Sequence, residues 1–281
     1  MCKRKTLLKE IEYEGIGLHK GEKIKMKLIP AKSKTGIIFK RVDLPENNEI
    51  TLDINNLFDL NRGTNLQNEF GANIFTVEHF LSSLYIFGIT DLIVEVDGNE
   101  MPIGDGSSHN FVETIDKVGV KEYDELADVI EINTPIYVSN GDKHIVGLPY
   151  DGYKITYAVN YNHSFLKSQL AEYEINKENF INLIGNARTF GFDYEVEYLK
   201  KNNLALGGSL DNAIVVGKDG VLNPEGLRYE DEFVRHKILD LIGDLKVLNK
   251  NIKGHIIAIK AGHAIDALFA KELHKKYGGD S

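Results

Sequence analysis

Twice along its length this chain passes through the same order of hydrophobic periods, and that order leaves few folds open to it. Short runs of alternating apolar and polar residues, the mark of half-buried strands, give way to stretches with helical spacing. In the first pass the alternation fills residues 8–31, broken by Gly15, Gly17 and Gly21, and continues through residues 36–44 and 49–54. A helix is then expected over Thr76–Phe87, where Val77, Leu81 and Leu84 form one stripe, with Gly88 ending it. A buried strand, Asp91–Val96, leads through the glycine turn MPIGDGSS into a second helix, Ser107–Val118. The second pass repeats this: strands from residue 128 onward, a helix over 176–184, then helix Glu230–Leu248, strand His255–Lys260 and helix Ala264–Lys276. Helix–strand–helix is a common order, so the repeat reads either as chance or as two similarly built domains. Strand runs segregated from helices favour an α+β fold over a doubly wound parallel sheet. The division expected is a first domain at 1–122, a charged linker at 123–127 and a second domain at 128–281, with an inserted segment at about 193–211.

Composition narrows the function. The 281 residues are 42% hydrophobic, enough for a sizeable core, and carry a net charge of −9, which disfavours nucleic acid as a partner. The only cysteine is Cys2, so neither a disulfide framework nor a cysteine metal cage is available. The opening MCKRKTLLKE lacks a long apolar run, and no stretch approaches 18 apolar residues. The expectation is a cytoplasmic, monomeric protein with no membrane anchor.

Two helices carry the residues that can do chemistry. On the 230–248 helix, Asp240 lies about 40° round the axis from His236, and Asp244 about 80°. Val234, Ile238, Leu241, Ile242 and Leu245 take the opposite side. A histidine and an aspartate at i, i+4 can converge on one cation. Taken alone, the pair reads as an ordinary solvated polar face. The same holds for TVEHF, where His79 points away from the apolar stripe and Glu78 is turned about 100° from it, placed for a base rather than a ligand. Together His79, His236 and Asp240 make a two-histidine, one-carboxylate set with an open position, the ligand count of a catalytic zinc site, although ferrous iron accepts it too. His263 stands at a strand end in KAGHAID, where it reads as a cap or as a general acid held by Asp244. Thr189 in NARTFGF has a hydroxyl that could donate to an oxyanion.

The motifs in this order resemble the UDP-3-O-acyl-N-acetylglucosamine deacetylase family, the zinc amidases of lipid A biosynthesis, over nearly the whole chain. The most specific stretches are TVEHF, MPIGDGSS, ARTFGF, LGGSLDNAIVV and LRYEDEFVRHKILDLIGDL. The resemblance implies two α+β domains, each a sheet with helices on one face, the helices sandwiched between the two sheets. It implies His79, His236 and Asp240 as Zn2+ ligands, Glu78 as general base, His263 as general acid with Asp244 as its partner, Thr189 as oxyanion donor and Lys237 as a substrate-contacting lysine. Tyr161 and Lys260 match nucleotide contacts, and His19 and Phe190 line the cleft. The insertion would form the acyl passage, expected around Val196, Leu199, Leu204 and Leu206. The implied substrate is UDP-3-O-acyl-N-acetylglucosamine, an amphiphile that would bring the protein transiently to the inner membrane face. Lys20, Gly104 and Asp266 depart from the family pattern. A metal amidase acting on another substrate and a non-catalytic sugar-nucleotide binding protein are the alternatives.

Overall fold

In the computed structural model, which describes residues 2–278, both passes of the sequence become sheets of one topology. The first pass runs β1 (Lys3–Leu7), β2 (Ile11–Ile16), β3 (Lys23–Pro30), β4 (Ile37–Arg41) and β5 (Glu49–Thr51). A small sheet follows, of β6 (Leu57–Phe58), β7 (Asn65–Gln67) and β8 (Asn73–Ile74); then come α1 (Glu78–Phe87), β9 (Leu92–Val96) and α2 (His109–Val118). Its main sheet has the order β2-β3-β9-β4-β5, with β9 antiparallel to β3 and parallel to β4.

The second pass runs β10 (Val120–Leu126), β11 (Val129–Glu131), β12 (Ile136–Asn140), β13 (Lys143–Leu148), β14 (Tyr153–Asn160) and β15 (Ser168–Glu174). The short helix α3 (Lys177–Asn179) widens into a π turn at Phe180–Ile184. Next come β16 (Phe190–Phe192), α4 (Asp193–Lys201), β17 (Ile214–Gly217), β18 (Gly220–Val221), α5 (Glu232–Leu245), β19 (Asn251–Ile259) and α6 (His263–Tyr277). The sheet order is β12-β13-β19-β14-β15, with β19 antiparallel to β13 and parallel to β14. In each half, therefore, the strand that follows the site-bearing helix slots into the centre of its sheet with the same pairing directions. The repeated order of periods is a repeated topology, not a coincidence of common elements.

The layers follow from which faces are apolar. β3 and β19 alternate buried and more open residues, so each sheet offers one apolar face. Phe80 of α1 packs on Phe39 of β4, while α5 and α6 cover the second sheet, and α1 and α5 pack against each other. The order is sheet, helices, helices, sheet. Gly243 sets how closely the inner layers meet: a Cβ there would lie 2.0 Å from the Glu78 carbonyl oxygen. Only a glycine allows α5 to press on the first turn of α1.

Three expectations change. Residues 123–126 of the segment expected as a linker belong to β10, paired antiparallel with β1 and laced by Lys5–Glu122 at 3.0 Å. Its residues are mostly exposed, so backbone pairing holds it without the apolar period that would have marked a strand. The helix expected from Thr76 starts at Glu78, because Thr76 sits at φ 58°. The face of α5 opposite its apolar stripe is not solvated: His236, Asp240 and Asp244 are buried, since that face meets α1.

Candidate metal centre

His79 enters the site from the first turn of α1, and His236 and Asp240 from successive turns of α5. Their ligand atoms lie within 4.8 Å of one another, and all three side chains are buried. Asp240 Oδ1 stands 3.2 Å from His236 Nε2 and 3.5 Å from His79 Nε2. Among the described residues it has no hydrogen-bond partner, an expensive condition for a buried carboxylate oxygen unless a cation answers it. His236 Nδ1 lies 3.0 Å from the Ala187 carbonyl, which accepts its proton and turns the Nε2 lone pair inward. Burial pushes the His236 imidazole down to about 3, so it is a neutral ligand. For His79 burial acts in the same direction, but the facing carboxylate of Asp240 and the charge of Glu78 outweigh it and hold its pKa up. The pocket thus demands positive charge between its donors, and two imidazoles with one carboxylate suit a divalent metal.

The groups expected to work beside a metal stand around these three donors. Glu78 is 3% exposed; burial raises its carboxyl, with the charges of His263 and His79 pulling the other way. Asp244 Oδ2 accepts from His263 Nδ1 at 2.8 Å, leaving the opposite ring nitrogen for chemistry. Lys237 stays charged although half-buried, because Asp240 at 2.6 Å and Tyr161 outweigh desolvation. Glu78, His79, Tyr161, Thr189, Phe190, His236, Lys237, Asp240 and His263 line one cleft of about 470 Å3.

Other expected contacts fall outside this cleft. His19 lines an adjoining apolar cavity of about 290 Å3 together with Val196 and Leu199. Leu204 and Leu206 do not line it; Leu206 is 49% exposed, and Leu18 and Leu210 take the places expected for them. Beyond α4 the chain turns back through positive-φ residues Asn203 and Ala205, which carries these leucines away from the cavity face of Val196 and Leu199. Lys260 lies in a separate polar recess with Lys143 and Asp142, joined to the cleft only through Tyr161, which lines both.

Sequence reasoning missed three residues that hold the site. Thr64 donates its backbone N–H to Glu78 Oε2 at 2.9 Å and its hydroxyl to Asp244 Oδ1 at 2.5 Å. Asp266 is buried beside Asp244; burial and the Asp244 charge push its carboxyl up, and burial raises Asp244 as well. Glu100 accepts the backbone N–H groups of His19 and Lys20, at 2.7 and 2.9 Å. None has a periodic or motif signature; Asp266 alone was marked, as a departure from the family pattern.

Comparison with known proteins matches residues 4–275 to the family model for UDP-3-O-acyl N-acetylglycosamine deacetylase. Relatives named UDP-3-O-acyl-N-acetylglucosamine deacetylase include that of Idiomarina loihiensis, 44% identical over 95% of this chain and 88% of its own length. Those of Thermodesulfovibrio yellowstonii and Saccharophagus degradans are 43% and 42% identical over 96% and 98% of this chain, each covered over 91% of its length.

Proposed function

This chain belongs to the UDP-3-O-acyl N-acetylglycosamine deacetylase family, and on that premise we propose that it hydrolyses the 2-acetamido group of UDP-3-O-acyl-N-acetylglucosamine. The products are UDP-3-O-acyl-glucosamine and acetate, an early committed step of lipid A biosynthesis. The observation that carries the reading is the unpartnered Asp240 Oδ1, faced by two histidine nitrogens, with Glu78 and His263 lining the same cleft.

His79, His236 and Asp240 would hold one divalent cation, zinc in this reading. Bound there, it would supply Lewis acidity for the amide carbonyl and lower the pKa of water toward ~7. Glu78, raised by burial, takes a proton at its carboxylate from the water that attacks the acetyl carbon. The Thr189 hydroxyl donates to the oxyanion that forms. His263, its Nδ1 tied to Asp244, delivers the proton at Nε2 to the nitrogen as the C–N bond breaks. Lys237 and, past Tyr161, Lys260 provide local positive charge for the diphosphate in a chain of net charge −9. The acyl chain enters the apolar cavity lined by Val196 and Leu199.

The test is acetate release from UDP-3-O-acyl-N-acetylglucosamine, with metal content measured before chelation, after it, and after zinc is restored. We expect one metal per chain and release that follows it. In Asp240→Asn both should fall together. Metal retained without release would reject the substrate, and release indifferent to chelation would reject the metal centre.

A further inference from the structure

Three consecutive residues join the wall of the apolar cavity to the two carboxylates assigned to catalysis. Arg62 reaches across the cleft to α4, where its two terminal nitrogens donate to Glu195 at 3.1 and 3.2 Å. Arg62 lines both the cleft and the apolar cavity, so this ion pair lies where one opens into the other. His19, which lines the same apolar cavity as Arg62, accepts from the Ala205 N–H at 3.4 Å through Nδ1. The next residue, Gly63, packs directly on Glu78, whose Oε1 lies 3.3 Å from where a Cβ would stand. Thr64 then grips Glu78 through its N–H and Asp244 through its hydroxyl.

The partner on the other side is a loosely seated helix. No residue of α4 is fully buried, and Val196 and Leu199 present its apolar side to the cavity. An acyl chain in the cavity would add the apolar contacts that α4 lacks, and the Arg62–Glu195 pair would carry its seating into the loop.

We propose that residues 62–64 form a coupling loop, in which closure of α4 over the acyl chain, transmitted through the Arg62–Glu195 pair, sets the positions of Glu78 and Asp244. This rests on the deacetylase reading and deepens it: the acyl chain is a trigger of turnover as well as a handle for binding. Binding energy from a part of the substrate remote from the scissile bond then appears in kcat rather than in KM alone. Arg62, Thr64 and Glu195 are positioning residues, acting through Glu78 and Asp244.

The experiment compares kcat and KM on a long-chain and a short-chain 3-O-acyl substrate for the wild type, Arg62→Glu, Glu195→Arg and the double exchange. An exposed two-point ion pair supports effects of about fivefold. Each single reversal should lower long-chain kcat by about that factor, with a smaller effect on the short chain, and the double exchange should restore it. Thr64→Val should lower kcat on both substrates, with Thr64→Ser close to wild type. Hydrogen exchange in peptides covering 60–66 and 193–201 should speed up in both single reversals and slow again in the exchange. Changes confined to KM, or a double exchange that restores neither kcat nor protection, would overturn the coupling. If the wild type released no acetate from either substrate, the deacetylase reading would fail by itself, and the exchange pattern would still decide whether the loop joins α4 to the carboxylates.

Discussion

Lys246 makes a prediction that links the stability of the fold to the geometry of the site. It follows the last turn of α5, is 3% exposed, and donates to the Ile89 carbonyl at 2.8 Å and to Asn249 Oδ1 at 3.0 Å. It thereby pins the end of one site helix to the segment that follows the other. Burial, helped by the nearby Arg4 charge, pushes its amine from 10.5 down to about 7, so above that pH the folded chain holds it neutral. Between about 7 and 10.5 the unfolded chain binds one more proton at this group than the folded chain, and stability must rise with pH across that window. At 1.36 kcal/mol per unit of full proton difference, and half a proton at the lower end, the gain from pH 7 to pH 9 is about 2 kcal/mol. Lys246→Met also leaves two carbonyl-type acceptors unpaired, a roughly constant cost of about 1–3 kcal/mol each that does not depend on pH. The assay is urea unfolding of wild type and Lys246→Met at pH 7, 8 and 9. The wild type should gain on the variant by about 2 kcal/mol over the series. Stability differences that stay parallel, or a wild type that loses ground as pH rises, would show that Lys246 is charged in the fold and that the reasoning from burial is wrong.

Three further outcomes follow. Glu78→Gln should keep one metal per chain while kcat falls roughly a hundred- to ten-thousand-fold, the usual span for a general base; turnover near the wild-type level would remove Glu78 from that role. Gly243→Ala drives a methyl into the Glu78 carbonyl, costing about 1–3 kcal/mol by overpacking, and should weaken metal binding because His79 is on the opposite helix from His236 and Asp240. An unchanged melting temperature and metal affinity would contradict the close helix crossing. Val196→Trp, in the lining of the apolar cavity, should shift activity toward shorter acyl chains, whereas Leu206→Trp should not; the reverse result would put the passage elsewhere.

Much of the architecture was legible because it is local. The spacing of Val77, Leu81 and Leu84 marks α1 to within two residues at its start, and the stripe of Val234, Ile238, Leu241 and Leu245 marks α5. β10 was not legible, because a strand exposed on most positions is held by pairing with β1 rather than by an apolar face. The helix expected at 176–184 was right in place and incomplete in kind, since nothing in that stretch signals a π turn. Leu204 and Leu206 stand apart from the cavity that Val196 and Leu199 line, because their position depends on how the chain turns after α4.

By itself the sequence determined which donors are present and which of them share a helix face. His236 and Asp240 at i, i+4, a histidine with a neighbouring glutamate on another amphipathic helix, and no usable cysteine already define a two-histidine, one-carboxylate donor set. Tertiary structure decided that these donors meet, because a helical period says which residues share a face but not which face another element will cover. It also decided their chemistry. Desolvation lowers His236 and raises Glu78, and it exists only once α1 and α5 are pressed together over Gly243. Thr64, without any signature in the chain, became the link between the carboxylates of Glu78 and Asp244 because a loop 14 residues before one of them and 180 before the other closed against both.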